Sequence, residues 1–315
     1  MPGVNEQGQQ VVEMGGEGEM AETAAPHTRV GFIGLGAMGS RMAANVQRAE
    51  YPLVVYARKP EQARPLAEHG ATVVASAREV AAKCDVLMLM LSDPDAVRSV
   101  LSSDDGVLAG ARDGLVLIDS STVGPADAMA TVETAAAHGV SVLHASVLGS
   151  LKPAADGELI VLLGGAEVEA ERQRPLLRTI GKEIHYLGPN ERACAMKLAV
   201  NVLVLSELQV AGEAVAMATR WGVPRDQVLS IIGGAAAASQ ALKGRLGTMF
   251  DAGAPVSFPL GLGRKDLWLA LSASYEKGAS APLIAAALET FSMAALMHGA
   301  EDVARVASFI DEMSS

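Results

Sequence analysis

The feature that most constrains this chain is a glycine-rich stretch at residues 29–39, RVGFIGLGAMG. Its apolar first half favours a β-strand, and the pattern Gly34-x-Gly36-x-x-Gly39 then leads into a helix-forming segment, SRMAANV. In a strand–turn–helix unit the first glycine allows a tight turn, the second lets the backbone approach a pyrophosphate, and the third brings the helix close to the strand. The stretch therefore predicts dinucleotide binding, with a purely structural tight turn as the alternative.

Strand-like and helix-like segments alternate from residue 29 to about residue 189. The run DVLMLML at residues 85–91 is continuously apolar, which is typical of a central parallel strand covered on both faces. The other predicted strands lie at residues 53–56, 72–74, 115–119, 140–145, 159–163 and 184–187. This alternation predicts an α/β fold with a doubly wound, mainly parallel Rossmann-type sheet.

The pattern changes at about residue 191, after which no segment is typical of a strand. A long helix is predicted at residues 191–221, and shorter ones follow at residues 225–232, 240–250, 260–277, 282–298 and 301–313. We therefore predict three regions: a disordered acidic tail (1–28), an NADP-binding Rossmann domain (29–190) and an all-α substrate and oligomerisation domain (191–315). The cleft between the two domains is the expected place for chemistry.

Composition argues against several classes of function. The net charge of −11 and a pI near 5.1 argue against a general nucleic-acid surface or an anionic membrane surface. Residues 1–28 are rich in Gly, Glu and Gln and match neither a signal peptide nor a transit peptide. Polar residues interrupt the apolar stretch at 193–218, which favours a buried helix over a membrane span. Two cysteines and no disulfide framework favour a reducing cytoplasm. From these features together, we expect a cytoplasmic protein without nucleic-acid or membrane partners.

The end of the second predicted strand indicates which nicotinamide cofactor is preferred. An NAD-binding version carries an acidic residue there that holds the ribose 2′-hydroxyl. Residues 51–60 contain no carboxylate, and Arg58 and Lys59 stand at this place instead. Arginine can pair bidentately with a 2′-phosphate. We therefore predict a preference for NADP(H) over NAD(H), with two ordinary solvated cations as the alternative.

Three polar patches are further candidates for function. The segment DSSTVGP at residues 119–125 follows a strand, where ligands bind in open α/β sheets. Lys197 and Asn201 are four residues apart, so they project from one face of the long helix. The third patch is RKDL at residues 264–267. Taken singly, these patches also fit a helix cap, an exposed polar stripe and a surface ion-pair cluster.

In combination, the glycine loop, DSST, Lys197 with Asn201, and KDL are similar to the β-hydroxyacid dehydrogenase family. This family includes 3-hydroxyisobutyrate dehydrogenase, tartronate semialdehyde reductase and glyoxylate/succinic semialdehyde reductase. The segment KPAADGELI at residues 152–160 looks most like the last of these branches. The resemblance implies hydride transfer between NADP(H) and a small β-hydroxy acid or aldehyde acid.

The resemblance also implies roles for individual residues. Lys197 falls on the catalytic lysine, Ser121 on the carboxylate-binding serine, and Asn201 on the asparagine that positions substrate and lysine. As general acid, the Lys197 ammonium would stabilise the negative charge on the carbonyl oxygen and donate a proton. For the cofactor, the resemblance adds Leu91, Ser92, Thr122 and Lys265 to the contacts already predicted at Gly34, Leu35, Gly36, Ala37, Met38, Gly39, Arg58 and Lys59. No metal is implied.

The expected substrate loop departs from the family pattern. The family usually has Asp-Ala-Pro-Val-Ser-Gly-Gly, whereas residues 144–150 are HASVLGS. Leu148 replaces a hydroxyl with an apolar side chain, and Ser150 replaces the second glycine. Backbone N–H groups around Gly149 and Ser150 can still bind a carboxylate, because they do not depend on side chains. Because the Leu148 side chain is apolar, we expect a drier pocket that suits a less polar substrate.

Two other functions are compatible with the same fold. Imine reductases share the architecture and the glycine loop but replace the catalytic lysine, and Leu148 keeps this alternative open. A non-catalytic NADP-binding sensor would have no reason to keep Lys197, Ser121 and Lys265 together. Small residues at 233–238 and the apolar helices lead us to expect a homodimer or homotetramer that acts on a small carboxylate substrate.

Overall fold

The computed structural model describes residues 28–314. Nearly all of the predicted acidic tail therefore lies outside the described residues. The fold consists of one eight-stranded sheet with helices on both faces, followed by a helical region. Two short 3₁₀ helices, at Pro60–Gln62 and Val303–Arg305, complete the regular elements of the described chain.

The sheet confirms the predicted doubly wound topology. Its strands run in the order β3-β2-β1-β4-β5-β6-β7-β8, and all neighbours are parallel except β6 and β7, which are antiparallel. The strands are β1 (Val30–Ile33), β2 (Leu53–Tyr56), β3 (Thr72–Val73), β4 (Val86–Leu89), β5 (Val116–Asp119), β6 (Ser141–Leu148), β7 (Leu159–Gly164) and β8 (Gly181–Tyr186).

Helices cover both faces of the sheet and then form the second region. Those associated with the sheet are α1 (Gly39–Arg48), α2 (Arg64–Glu68), α3 (Ala77–Lys83), α4 (Pro94–Ser102), α5 (Val107–Gly110), α6 (Pro125–Ala136), α7 (Leu151–Asp156) and α8 (Glu167–Leu177). The others are α9 (Asn190–Arg220), α10 (Arg225–Gly234), α11 (Gln240–Lys243), α12 (Leu260–Glu276), α13 (Pro282–His298) and α14 (Val306–Met313).

The central strand β4 shows why its sequence is continuously apolar. Val86 and Met88 belong to the apolar core on one face of the sheet, and Leu87 and Leu89 belong to the core on the other. All four side chains are buried. Alternate residues of a strand point to opposite faces, so a strand covered on both sides has no polar position.

The long helix α9 links the sheet to the helical region. Near its start, Cys194 lies in one core of the sheet, whereas Leu205 and Leu208 lie in a third core formed by the helices. By length and composition, α9 is the one described helix that could cross a membrane. It packs against β6, β7, α6, α12 and α14, which accounts for its buried apolar residues such as Leu205 and Leu208.

Two predicted helices differ from the observed ones. The segment at residues 240–250 is helical only over α11 and continues as turns, since Gly244 and Gly247 weaken the helix. Residues 301–313 begin with a 3₁₀ turn that the Asp302 side chain caps, and α14 starts at Val306.

Candidate active site

A cavity of about 790 Å³ lies at the carboxyl end of the sheet, where the sheet meets the helical region. It is lined by the loop before α1, the ends of β4 and β6, the face of α9, the segment that contains α11, and the start of α12. It brings together twelve of the predicted site residues: Gly36, Ala37, Met38, Gly39, Leu91, Ser92, Thr122, Gly149, Ser150, Lys197, Asn201 and Lys265.

The glycine loop has the geometry that its sequence predicts. Gly34 has φ +98°, and a Cβ there would lie 2.2 Å from the carbonyl oxygen of Met90. A Cβ on Gly39 would lie 1.9 Å from the carbonyl oxygen of Gly34. A Cβ on Gly36 would meet nothing within 4 Å. Two glycines therefore allow close packing, and the third leaves open space at the cavity for a ligand to approach.

Not every predicted cofactor residue lines the cavity. The Leu35 side chain is buried in the core, so only its backbone can face a ligand. Arg58 and Lys59 are exposed and follow β2, whose Tyr56 pairs in register with Ile33 of β1. The two cations therefore lie at the same edge of the sheet as the glycine loop. Neither forms an ion pair with a described carboxylate.

Ser121 occupies a different place from the one expected of a carboxylate-binding serine. Its side chain is completely buried and does not line the cavity. Its backbone N–H donates to Asp119 Oδ1 at 2.8 Å, and its Oγ accepts a hydrogen bond from the Leu91 N–H at 2.9 Å. This turn directs the hydroxyl inward, so Ser121 holds the backbone of Leu91, and Thr122 is the residue of this loop that reaches the cavity.

Three polar side chains, those of Asn201, Lys265 and Asp266, form a connected group on the helical side of the cavity. Asn201 Nδ2 donates to Asp266 Oδ2 at 2.6 Å, and Lys265 Nζ lies 2.9 Å from Asp266 Oδ1. Lys265 Nζ also donates to the Thr122 carbonyl oxygen at 2.6 Å, which ties α12 to the loop after β5. Lys197 lies one helical turn before Asn201 on α9. The group therefore joins both regions of the protein.

The electrostatic surroundings lower the pKa of Lys197 to about 8. Burial is the main cause, because it disfavours the charged ammonium, and the positive charge of Lys265 acts in the same direction. The carboxylate of Asp266 opposes both by stabilising the ammonium. A lysine with this pKa can donate or accept a proton near neutral pH, which suits an acid–base group.

The loop after β6 keeps its expected place at the cavity. Gly149 has φ +136°, and a Cβ there would lie 2.7 Å from the Leu159 side chain, so a larger residue would be strained. Leu148, Gly149 and Ser150 all line the cavity. An apolar side chain therefore stands beside the backbone turn, as the sequence predicts.

His144 and Asp119 form a buried polar pair in the sheet, next to the start of α9. The His144 N–H donates to Asn190 Oδ1 at 2.8 Å, and His144 Nδ1 lies 3.0 Å from the same oxygen. His144 Nε2 then faces Asp119 Oδ2 at 3.7 Å. Burial raises the pKa of Asp119, and His144 acts in the opposite direction. The pair links the end of β5 and the middle of β6 to the first residue of α9, the helix that carries Lys197.

Sequence reasoning missed three charged residues of the cavity, Asp266, Arg245 and Lys152, the last of which begins the quoted segment KPAADGELI. Asp266 stands beside Lys265 in the quoted KDL motif, so its position was visible although its contact with Asn201 was not. Arg245 follows α11 within a segment that was predicted to be an uninterrupted helix, and nothing in the local pattern marked it. Only the packing of α11 against α9 brings Arg245 to the cavity.

Two family models together cover almost all of the described chain. The NAD-binding domain of 6-phosphogluconate dehydrogenase matches residues 29–188. The NAD-binding domain of NADP-dependent 3-hydroxyisobutyrate dehydrogenase matches residues 192–310.

Individual enzymes and solved structures of this kind are also similar to the chain over most of its length. Glyoxylate/succinic semialdehyde reductase 1 of Arabidopsis thaliana is 36% identical, covering 84% of this chain and 92% of that protein. The 2-(hydroxymethyl)glutarate dehydrogenase of Eubacterium barkeri is 29% identical, over 91% and 96% respectively. The structure of Mycobacterium tuberculosis 3-hydroxyisobutyrate dehydrogenase with L-serine has a TM-score of 0.77 and 31% identity, over 89% of this chain and 98% of that one.

Proposed function

Since this chain belongs to the β-hydroxyacid dehydrogenase family, whose members are oxidoreductases, we propose that it transfers a hydride between NADP(H) and a small aldehyde acid or β-hydroxy acid. Glyoxylate-type and semialdehyde-type acids are the substrate class. Lys197 is the general acid in reduction and the general base in oxidation.

The charge of the cavity carries this proposal. The chain as a whole has a net charge of −11. Among the described residues, the charged groups that line the cavity are Lys152, Lys197, Arg245 and Lys265 against the single carboxylate of Asp266. An excess of cations in an acidic protein favours an anionic cofactor and an anionic substrate.

In the proposed reaction, separate groups of residues bind the cofactor and transfer the proton. A nicotinamide cofactor, when bound, supplies or accepts the hydride. Gly36 and the N–H groups at the start of α1 leave room and partial positive charge for its phosphates. Because its pKa is about 8, Lys197 is mainly protonated at neutral pH and donates a proton to the carbonyl oxygen as negative charge develops there. Asn201 and Asp266 fix the face of α9 that carries it.

The preference for NADP(H) rests on Arg58 and Lys59. Both are exposed at the edge of the sheet that carries the glycine loop, and both are free of described carboxylate partners. A 2′-phosphate would supply the missing anionic partner.

The exposed face of α9 supports assembly into a homodimer or homotetramer. Leu203, Val210 and Met217 follow one another at seven-residue spacing and are 70%, 53% and 63% exposed, and Trp221 is 86% exposed. Residues at this spacing lie on one side of a helix, and a second copy of the chain would remove them from water. Sedimentation of the wild type and of Leu203→Glu tests this: the variant should shift toward the monomer.

The test of function is NADPH oxidation by the purified protein with glyoxylate, succinic semialdehyde, methylmalonate semialdehyde and a cyclic imine. We expect turnover with at least one aldehyde acid. Turnover with the cyclic imine alone would instead favour an imine reductase, which the apolar Leu148 at the cavity leaves as the second candidate. NADPH binding without any turnover would favour a sensor.

A further inference from the structure

Arg245 is a cavity-lining cation that the proposed reaction does not use. Lys152 pairs with Asp156 at 2.5 Å, and Lys265 pairs with Asp266 at 2.9 Å. Arg245 forms no ion pair within 4.0 Å with any carboxylate of residues 28–314. Its Nη1 donates only to the Ala241 carbonyl oxygen, at 3.2 Å, and its Nε is buried without a hydrogen-bond partner.

The surrounding segment holds Arg245 firmly at the wall of the cavity. Ser239 caps α11, since its Oγ accepts a hydrogen bond from the Leu242 N–H. Glu207 of α9 in turn accepts a hydrogen bond from the Ser239 N–H at 2.8 Å. On either side of Arg245, Leu242 and Leu246 are buried in the helical core. These contacts hold in place the backbone from which Arg245 reaches the wall of the cavity.

The cavity between Lys197 and Arg245 has an apolar middle. Val200 and Val204 line it along α9, and Leu148 lines it from the end of β6. The contact of Ser239 with Glu207 attaches the segment of Arg245 to α9, the helix that also carries Lys197. A polar group at each end and apolar side chains between them match a ligand with a methylene chain.

A half-buried guanidinium is costly to leave without partners, and a carboxylate satisfies two of its N–H groups at once. We propose that Arg245 binds the carboxylate of an aldehyde acid in which methylene groups separate the carboxylate from the aldehyde. Succinic semialdehyde has this form, whereas in glyoxylate the carboxylate is bonded directly to the reacting carbon. This inference rests on the proposed reductase function and makes Arg245 the residue that selects the longer acid.

The experiment compares Arg245→Gln with Lys243→Gln, a matched control on the same segment whose cation does not line the cavity. For Arg245→Gln we expect the KM for succinic semialdehyde to rise about 10- to 100-fold, with kcat nearly unchanged. The KM for glyoxylate should change by less than about threefold. Lys243→Gln should match the wild type with both substrates. Thermal denaturation of all three proteins checks that the fold is intact.

Succinate binding gives a second readout that does not need turnover. Succinate resembles succinic semialdehyde but cannot be reduced in this reaction, and its binding to the protein saturated with NADP⁺ can be measured by calorimetry. Weaker succinate binding in Arg245→Gln alone would support the inference even if no aldehyde acid were turned over, which would reject only the proposed function. If the KM values for the two substrates rose equally in Arg245→Gln, or if neither rose, the role of Arg245 would be overturned.

Discussion

The two walls of the cavity are built by different means. On the sheet side the surface that faces a ligand is largely backbone, at the loop of Gly36 and Gly39 and at the turn of Gly149. On the helical side, the polar contacts come from side chains, among them the charged groups of Lys197 and Arg245. Backbone N–H groups keep their partial charge at every pH, whereas the charge of a lysine depends on its neighbours.

This difference separates what each wall can do. The sheet wall suits a cofactor that has the same phosphates whichever substrate is used, because its geometry is set by close contacts between main-chain atoms. The helical wall suits the proton transfer and the choice of substrate, because single side chains there carry separate roles. Variants on the two walls should therefore fail in different ways.

The largest expected effect is on the helical wall. In Lys197→Ala we expect kcat for aldehyde-acid reduction to fall by about a thousandfold, since the proton donor is lost. The Kd for NADPH, measured by fluorescence titration, should stay within about twofold of the wild type, because the glycine loop is untouched. Lys243→Ala is the control and should retain full activity. Turnover within tenfold of the wild type would remove Lys197 from the acid–base role.

The second prediction concerns the sheet wall and separates packing from ligand access. In Gly39→Ala the new Cβ would meet the Gly34 carbonyl oxygen at 1.9 Å, so we expect a loss of roughly 2–4 kcal/mol in the free energy of unfolding. In Gly36→Ala the Cβ meets nothing within 4 Å, so stability should be unchanged while the Kd for NADPH rises about tenfold. Urea denaturation and cofactor titration measure both. Equal stability losses in the two variants would contradict the distinction.

A third and smaller effect should appear at the end of β2. We expect Arg58→Gln to lower kcat/KM for NADPH by about tenfold and to leave kcat/KM for NADH nearly unchanged, because only NADPH carries the 2′-phosphate. Arg64→Gln is the control, since Arg64 is exposed and already paired with Glu68 at 3.2 Å. A wild-type protein that uses both cofactors equally well would contradict the predicted preference.

The same contrast explains how much could be predicted from the sequence. The glycine loop, the strand β4 and the helix α13 follow from local rules on glycine conformation, apolar periodicity and helix ends, and the bounds of α13 were predicted to the residue. The antiparallel pairing of β7 was not visible, because an apolar run has the same composition in either direction.

Side-chain placement needed the tertiary structure. The motif around Ser121 was found, but its hydroxyl faces the Leu91 backbone because the Asp119 carboxylate turns the loop, and no local pattern reports that hydrogen bond. Arg245 was missed for a similar reason, since the contact of Ser239 with Glu207 and the packing of α11 against α9 place its segment, and neither is visible in a local pattern.

The smallest expected effect tests how the charges of the helical wall influence one another. The reductive kcat of the wild type should fall as pH rises through about 8, because Lys197 loses the proton that it donates. Asp266→Asn removes an anion that stabilises the ammonium, so the midpoint of this profile should move to lower pH. Lys265→Gln removes a cation that destabilises the ammonium, so the midpoint should move to higher pH.

Each shift should be roughly half a unit to one unit, since both neighbours contribute less than burial does. Both variants also lose contacts that tie α12 to α9 or to Thr122, so kcat will fall in each, but a structural loss alone would not move the two midpoints in opposite directions. The measurement is kcat against pH under saturating NADPH and substrate. Midpoints that move the same way, or a profile without a transition near pH 8, would show that Lys197 does not titrate in the catalysed step.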